Sequence, residues 1–133
     1  MSKAEQNLQT AIVTYIKLQY PHVLFTATMG GLKLNSWNQR NILKATGYLK
    51  GVADLLIFES KGNMYKGLFI EVKTLKGKLT KEQKEFKIKA NDRGYYCVTV
   101  YGLDNAIDVL DIYLERSNKK IVKEYNIIYN NEL

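Results

Sequence analysis

Asp54, Glu71 and Lys73 are the residue types that metal-assisted phosphodiester chemistry requires, at a spacing that can bring them together. They stand in Gly51-Val52-Ala53-Asp54 and, 17 positions on, in Glu71-Val72-Lys73. Carboxylate oxygens suit Mg2+ and Mn2+. An ion held between them activates water and neutralises charge on a phosphate. Two carboxylates with a lysine form an arrangement for holding such a cation beside a phosphate. The chemistry these residues point to is metal-dependent cleavage of a nucleic-acid backbone.

Side chains alternate faces along a strand. In Leu68-Phe69-Ile70-Glu71-Val72-Lys73, the apolar Leu68, Ile70 and Val72 share one face, and Glu71 and Lys73 share the other. Burying two charges costs several kcal/mol, roughly that much per ion, unless something compensates. A metal and a phosphate would compensate; an ion pair at the sheet rim is the plain alternative. Glu-x-Lys occurs four times, at Glu59/Lys61, Glu71/Lys73, Glu82/Lys84 and Glu85/Lys87, and only the Glu71 triplet is embedded in an apolar strand. Asp54 heads Leu55-Leu56-Ile57-Phe58 although aspartate is depleted from strands; a turn residue at a strand start is the alternative. A hairpin through residues 60–66 carries the start of one strand to the end of the other, which brings Asp54 beside Glu71 to Lys73.

The elements that must hold these strands are legible in outline. Ser2 to Gln19 reads as a helix, with Ser2 and Glu5 at capping-box spacing and Leu8, Ala11, Ile12, Tyr15 and Ile16 at helical intervals. Val23 to Thr28 reads as a strand. Asn35 to Thr46 reads as a polar helix in which Ser36 and Gln39 repeat the cap spacing. Ala53 to Glu59 and Leu68 to Lys73 are the hairpin strands, joined through Ser60-Lys61-Gly62-Asn63. Thr80 and Gln83 open a helix that runs to about Asp92 and stops at Gly94. Tyr95 to Tyr101 reads as a strand and Leu103 to Glu115 as an amphipathic helix, with Ala106, Ile107, Leu110 and Leu114 inward. Ile121 to Tyr129 reads as a last strand or a partner-contacting segment. The expected fold class is α/β, a mixed β-sheet flanked by helices. The helix after Lys73 is a crossover, so the Leu68 and Tyr95 strands should be parallel.

A chain of 133 residues with 46% hydrophobic content and one proline reads as a single domain over 1–133. Neither a secretory leader nor a run long enough to cross a bilayer is expected. The lone cysteine, Cys97, lies in an apolar strand, so a reducing cytoplasmic setting is expected. One cysteine and one histidine argue against a structural zinc site, and His22 beside Pro21 reads as a surface residue. The net charge is +7, and Lys73, Lys76, Lys78, Lys81, Lys84, Lys87 and Lys89 fall within 17 residues against only Glu82 and Glu85. That cluster suits a polyanionic partner, although a solvated lysine face is the commoner outcome.

Glu5 shares the stripe of Leu8 and Ile12, and two roles stay open for it: a further carboxylate at the site, or the reciprocal half of the Ser2 cap. Gln83 has the same two options, reaching the site or completing the Thr80 cap. Gly30-Gly31 admits a nucleic-acid backbone closely or makes a plain turn.

These residues resemble the VRR-NUC family, a branch of the PD-(D/E)XK nucleases, over Glu5 to about Leu114. The resemblance rests on Glu5 with Leu8-Gln9, Gly30-Gly31, Gly51-Val52-Ala53-Asp54-Leu55 and Phe69-Ile70-Glu71-Val72-Lys73. Gly77-Lys78-Leu79-Thr80 with Gln83, and then Gly94-Tyr95, complete it. Ala53 departs from a proline often seen before the aspartate, and Met29 from an asparagine before the glycines. The resemblance implies a restriction-endonuclease-like core of αβββαβ order and Mg2+- or Mn2+-dependent cleavage of DNA. It implies metal ligation by Asp54, Glu71 and the Val72 carbonyl, with Lys73 orienting water and Glu5 and Gln83 as accessory groups. Gly30, Gly31, Lys76, Lys78, Lys81 and Lys84 would then meet the nucleic acid. Small stand-alone members resemble phage or viral proteins that act as homodimers on branched DNA such as Holliday junctions. The alternatives are a non-catalytic nucleic-acid-binding module and a lysine-faced interaction protein.

Overall fold

Ser2 caps the first helix as its spacing predicts, its hydroxyl oxygen accepting the Glu5 N–H at 3.1 Å. In the computed structural model, which describes residues 1–29 and 36–114, the order is α1 (Lys3–Gln19), β1 (Phe25–Ala27), α2 (Trp37–Ala45), β2 (Leu55–Ile57), β3 (Leu68–Lys73), α3 (Lys81–Asp92), β4 (Tyr96–Tyr101) and α4 (Leu103–Tyr113). Gly30-Gly31, Glu115 and the 121–129 segment lie outside the described residues. None of the described helices is long and apolar enough to cross a membrane.

The four strands form one mixed sheet in the order β1-β2-β3-β4, antiparallel up to β3 and parallel between β3 and β4. The parallel pair follows from the α3 crossover, as expected. Leu55 pairs with Ile70 and Ile57 with Leu68. The hairpin connection is a wide loop pinned by a bridge between Lys61 and Tyr65 rather than a tight turn. Lys61 Nζ donates to the carbonyls of Ile112 and Tyr113, both at 3.1 Å, tying that loop to the end of α4.

β2 is shorter than the predicted Ala53 to Glu59, and the reason lies at Asp54. There the backbone leaves the β2–β3 ladder: the Asp54 carbonyl accepts the Thr28 N–H at 2.9 Å, and its carboxylate takes the Val72 N–H. A side chain completes what the strand backbone does not.

The sheet divides two apolar layers. On one face Ile12 and Ile16 of α1, with Ala106, Val109, Leu110 and Tyr113 of α4, cover Leu55, Ile57, Leu68, Ile70, Val72, Val98 and Val100. Each such aliphatic side chain contributes about 1.5–3 kcal/mol by leaving water. Ala106 and Leu110 are fully buried on α4 as expected, Val109, Ile112 and Tyr113 join them, and Ile107 and Leu114 are only half-buried. Tyr15 and Tyr20 donate their hydroxyls to Asp111, so these half-buried tyrosines keep their polar ends paired. On the other face the apolar packing is thin, with Ala53, Ala90 and Cys97 flanked by Leu56, Phe69, Phe86 and Tyr95 under α3. The strand alternation that sends Leu68, Ile70 and Val72 to the thick layer sends Glu71 and Lys73 to this thinner one.

Candidate metal and phosphodiester site

Asp54, Glu71 and Lys73 converge and are buried, 7%, 5% and 8% exposed respectively. The Leu55–Ile70 register, extended by one residue, sets Asp54 opposite Glu71. Asp54 Oδ2 accepts the Val72 N–H at 2.7 Å, which locks the carboxylate to the strand carrying the other two groups. Thr28 fixes the same loop from β1, its hydroxyl donating to the Ala53 carbonyl at 2.7 Å. Lys73 Nζ stands 3.9 Å from Glu71 Oε1. The loop after β3 folds over Lys73 at Gly77, where a Cβ would come within 3.1 Å of the lysine stem.

Gln83 resolves its open assignment by filling both roles. Its Oε1 accepts the Thr80 N–H at 2.8 Å, completing the capping box of α3, and its Nε2 donates to Glu71 Oε1 at 2.8 Å. A helix cap thus also orients a site carboxylate. Glu5 stays half-buried on α1, which packs against the opposite face from Glu71 and Lys73. Its charge is still felt by both carboxyls. Among the described residues no three His, Cys, Asp or Glu side chains are placed to hold an ion, so the oxygen set here is a carboxylate pair, not a carboxylate triad.

The electrostatics are those of a site with excess negative charge. Burial lifts the Glu71 carboxyl from its ordinary 4.5 to about 9, with Asp54 adding to the rise and Lys73 opposing it. Burial also raises Asp54, against the Val72 N–H, Glu71 and Lys73, which pull it down. Two carboxyls sharing a buried spot cannot both ionise cheaply. Tyr48, which follows α2, sits close enough for the Asp54 and Glu71 charges to reinforce the upward shift that burial gives its hydroxyl.

Lys76, Lys78, Lys81 and Lys84, expected to meet the nucleic acid, are all exposed. Lys87 differs: it is 2% exposed and donates to Thr99 Oγ1 at 3.2 Å. Thr99 pairs across the sheet with Glu71, so this lysine is turned toward the layer that holds the site. Its i, i+4 spacing from Gln83 puts the two on one side of α3, but only the packing of the helix on the sheet turns that side inward.

Gly51 and Tyr48 were also missed as site-forming residues. Gly51 has φ +91, and a Cβ there would lie 2.4 Å from the Glu82 backbone, so the Asp54 loop packs directly onto the first turn of α3. Lys50 adds an ion pair to Glu82 at 3.7 Å. A depression of about 290 Å3 at the turn end of the hairpin, lined by Ser60, Met64, Lys66 and Gly94 among others, contains no carboxylate and stands apart from this site.

A solved structure described as a VRR_NUC domain protein is similar to this chain, with a TM-score of 0.67 and 25% identity, over 85% of this chain and 89% of that one. No match was found among curated proteins. The family model for the VRR-NUC domain matches residues 3–103. That match takes in α1, all four strands and the Asp54, Glu71, Lys73 and Gln83 constellation, and the chain belongs to the VRR-NUC domain family, whose nuclease function implies nucleic acid as the substrate.

Proposed function

We propose that the chain is a Mg2+- or Mn2+-dependent endonuclease acting on DNA, with branched or junction-containing DNA as the preferred form and a homodimer as the working unit. The observation that carries the catalytic part is the convergence of Asp54, Glu71 and Lys73 under the Gln83 amide. The donor set fits a hard divalent cation, because two buried carboxyls driven toward protonation gain most from a positive ion.

Asp54, Glu71 and the Val72 carbonyl would hold the ion. When bound, it would supply Lewis-acid polarisation of the phosphate and a more acidic water. Lys73 positions the attacking water and offsets charge on the non-bridging oxygens as the new P–O bond forms and the old one breaks. Gln83 holds Glu71 in its ligating orientation. The exposed Lys76, Lys78, Lys81 and Lys84 supply phosphate contacts along the approach.

The test is a panel of four-way junction, flap, splayed arm, duplex and single strand, each with Mg2+, Mn2+ or EDTA. Asp54→Asn, Glu71→Gln and Lys73→Ala should abolish cleavage and leave binding near wild type. Asp54→Asn is preferred to Asp54→Ala because its amide oxygen still accepts the Val72 N–H, whose loss would cost about 1–3 kcal/mol. An Asp54→Asn protein that cuts at the wild-type rate would remove the assignment.

A further inference from the structure

The element that the fold uses least is α2. None of its residues is buried, and only Leu43 is even half-buried. The segment 36–50 carries Arg40, Lys44 and Lys50 and no aspartate or glutamate. Lys50 pairs with Glu82, and Arg40 and Lys44 are both exposed on the helix. At 100° per residue, Trp37, Arg40, Asn41 and Lys44 fall within roughly 100° of arc, and Leu43 lies about a third of a turn away. Trp37, 76% exposed, heads that stripe.

The stripe leads to the site. α2 ends at Ala45, Tyr48 follows within reach of the Asp54 and Glu71 charges, and Gly51 then seats the Asp54 loop on α3. The helix is roughly 13 Å long, about four nucleotides at 3.4 Å each.

An exposed face needs an occupant, and the charges select one. A second copy meeting this face in an isologous contact would set the same cations against themselves. The exposed Ile42 projects about 140° from Trp37, so the apolar side chains do not merge into one patch of the kind such a contact uses. Cations spaced along one stripe with an aromatic at its head match a polyanion that carries flat rings.

We propose that α2 is a strand clamp: Arg40 and Lys44 hold phosphates of a locally unpaired substrate segment, Trp37 stacks on one of its bases, and the strand is thereby fed to the Asp54–Glu71 site. The inference rests on the reading of that site as the cutting centre. It adds that the substrate has an unpaired stretch within a few nucleotides of the cut, because a base is open to stacking only where it is unpaired.

Trp37 is the only tryptophan in the chain, so its emission reports on α2. Wild-type protein in EDTA should show strong Trp37 quenching on titration with a single-stranded DNA oligonucleotide, and weak quenching with a long blunt duplex. The Arg40→Gln/Lys44→Gln double variant should keep its circular dichroism and Tm, since both side chains are exposed. It should bind the single strand on the order of tenfold more weakly near physiological salt, with the slope of log K against log salt reduced by about 1.4. In Mn2+ cleavage assays the same change should appear in KM rather than kcat. Unchanged emission at saturating strand, equal quenching by duplex, or an unchanged salt slope would each overturn the clamp. So would a concentration-dependent mass that the double variant abolishes, which would assign the face to a second copy. Failure of the catalytic reading looks different: Asp54→Asn would still cut while quenching and the salt slope followed the clamp.

Discussion

Gln83 donates to Glu71 Oε1 at 2.8 Å with one end of its amide and accepts the Thr80 N–H at 2.8 Å with the other. The start of α3 and the aim of a site carboxylate are therefore set by one side chain. Gln83→Ala should lose both, lowering stability by about 0.5–2 kcal/mol through the cap. Gln83→Glu keeps an acceptor for Thr80 and replaces the donor toward Glu71 with a like charge. It should retain the helix by circular dichroism and lose on the order of 10–100-fold in activity, the usual effect of removing a group that orients a metal ligand. Wild-type cleavage by Gln83→Glu would reduce the residue to a cap.

Gly51→Ala tests the seating of the Asp54 loop. The new Cβ would lie 2.4 Å from the carbonyl carbon and oxygen of Glu82, at a φ of +91. Backbone of α3 cannot give way as a flexible side chain would, so the loop must lift and Asp54 must leave Val72. We expect a stability loss above the roughly 1–2 kcal/mol of a left-handed alanine, and a loss of cleavage larger than stability alone explains. Gly62→Ala is the control: its φ is +50 and nothing lies within 4 Å. Urea melts and cleavage rates on both variants decide the matter.

Glu71 links pH and stability. Its carboxyl titrates near 9 in the folded, metal-free protein and near 4.5 when unfolded. Between those values the folded state holds a proton that the unfolded chain releases, so stability falls as pH rises. Tm in EDTA should drop across about pH 5 to pH 9, reflecting that difference in bound protons. On the proposed reading a cation takes the place of the proton, so the Tm gained from saturating Mn2+ should widen as pH rises. A Tm gain independent of pH would show that Glu71 does not exchange its proton for the ion.

Cys97 should be inert. Burial pushes its thiol up to about 12, with Lys87 opposing and Glu71 adding to the rise. The thiolate is the reactive form, so a disulfide reagent near neutral pH should label Cys97 only after denaturant is added. Fast labelling of the native protein would mean that the layer between α3 and β4 opens.

Ser2, Ser36 and Thr80 announced the helix starts because a cap is a local signal, one side chain and one N–H three residues on. Leu68 to Lys73 announced its two faces because strand alternation is equally local. The meeting of Asp54 with Glu71 was legible too, since a hairpin reverses the chain and fixes what lies opposite by counting. Three facts were beyond that reach: Lys87 turned inward onto Thr99, Gly51 pressed on Glu82, and α2 with none of its residues buried. Periodicity tells which side chains share a face, and says nothing of what is laid against it. Lys84 and Lys87 look alike in sequence, and only the packing of α3 on the sheet sends one to water and the other to Thr99. The sequence by itself determined the site's chemical groups and their strands. Tertiary structure decided their burial, the Gln83 brace and the bare helix beside them, because those depend on layers that meet across the whole chain.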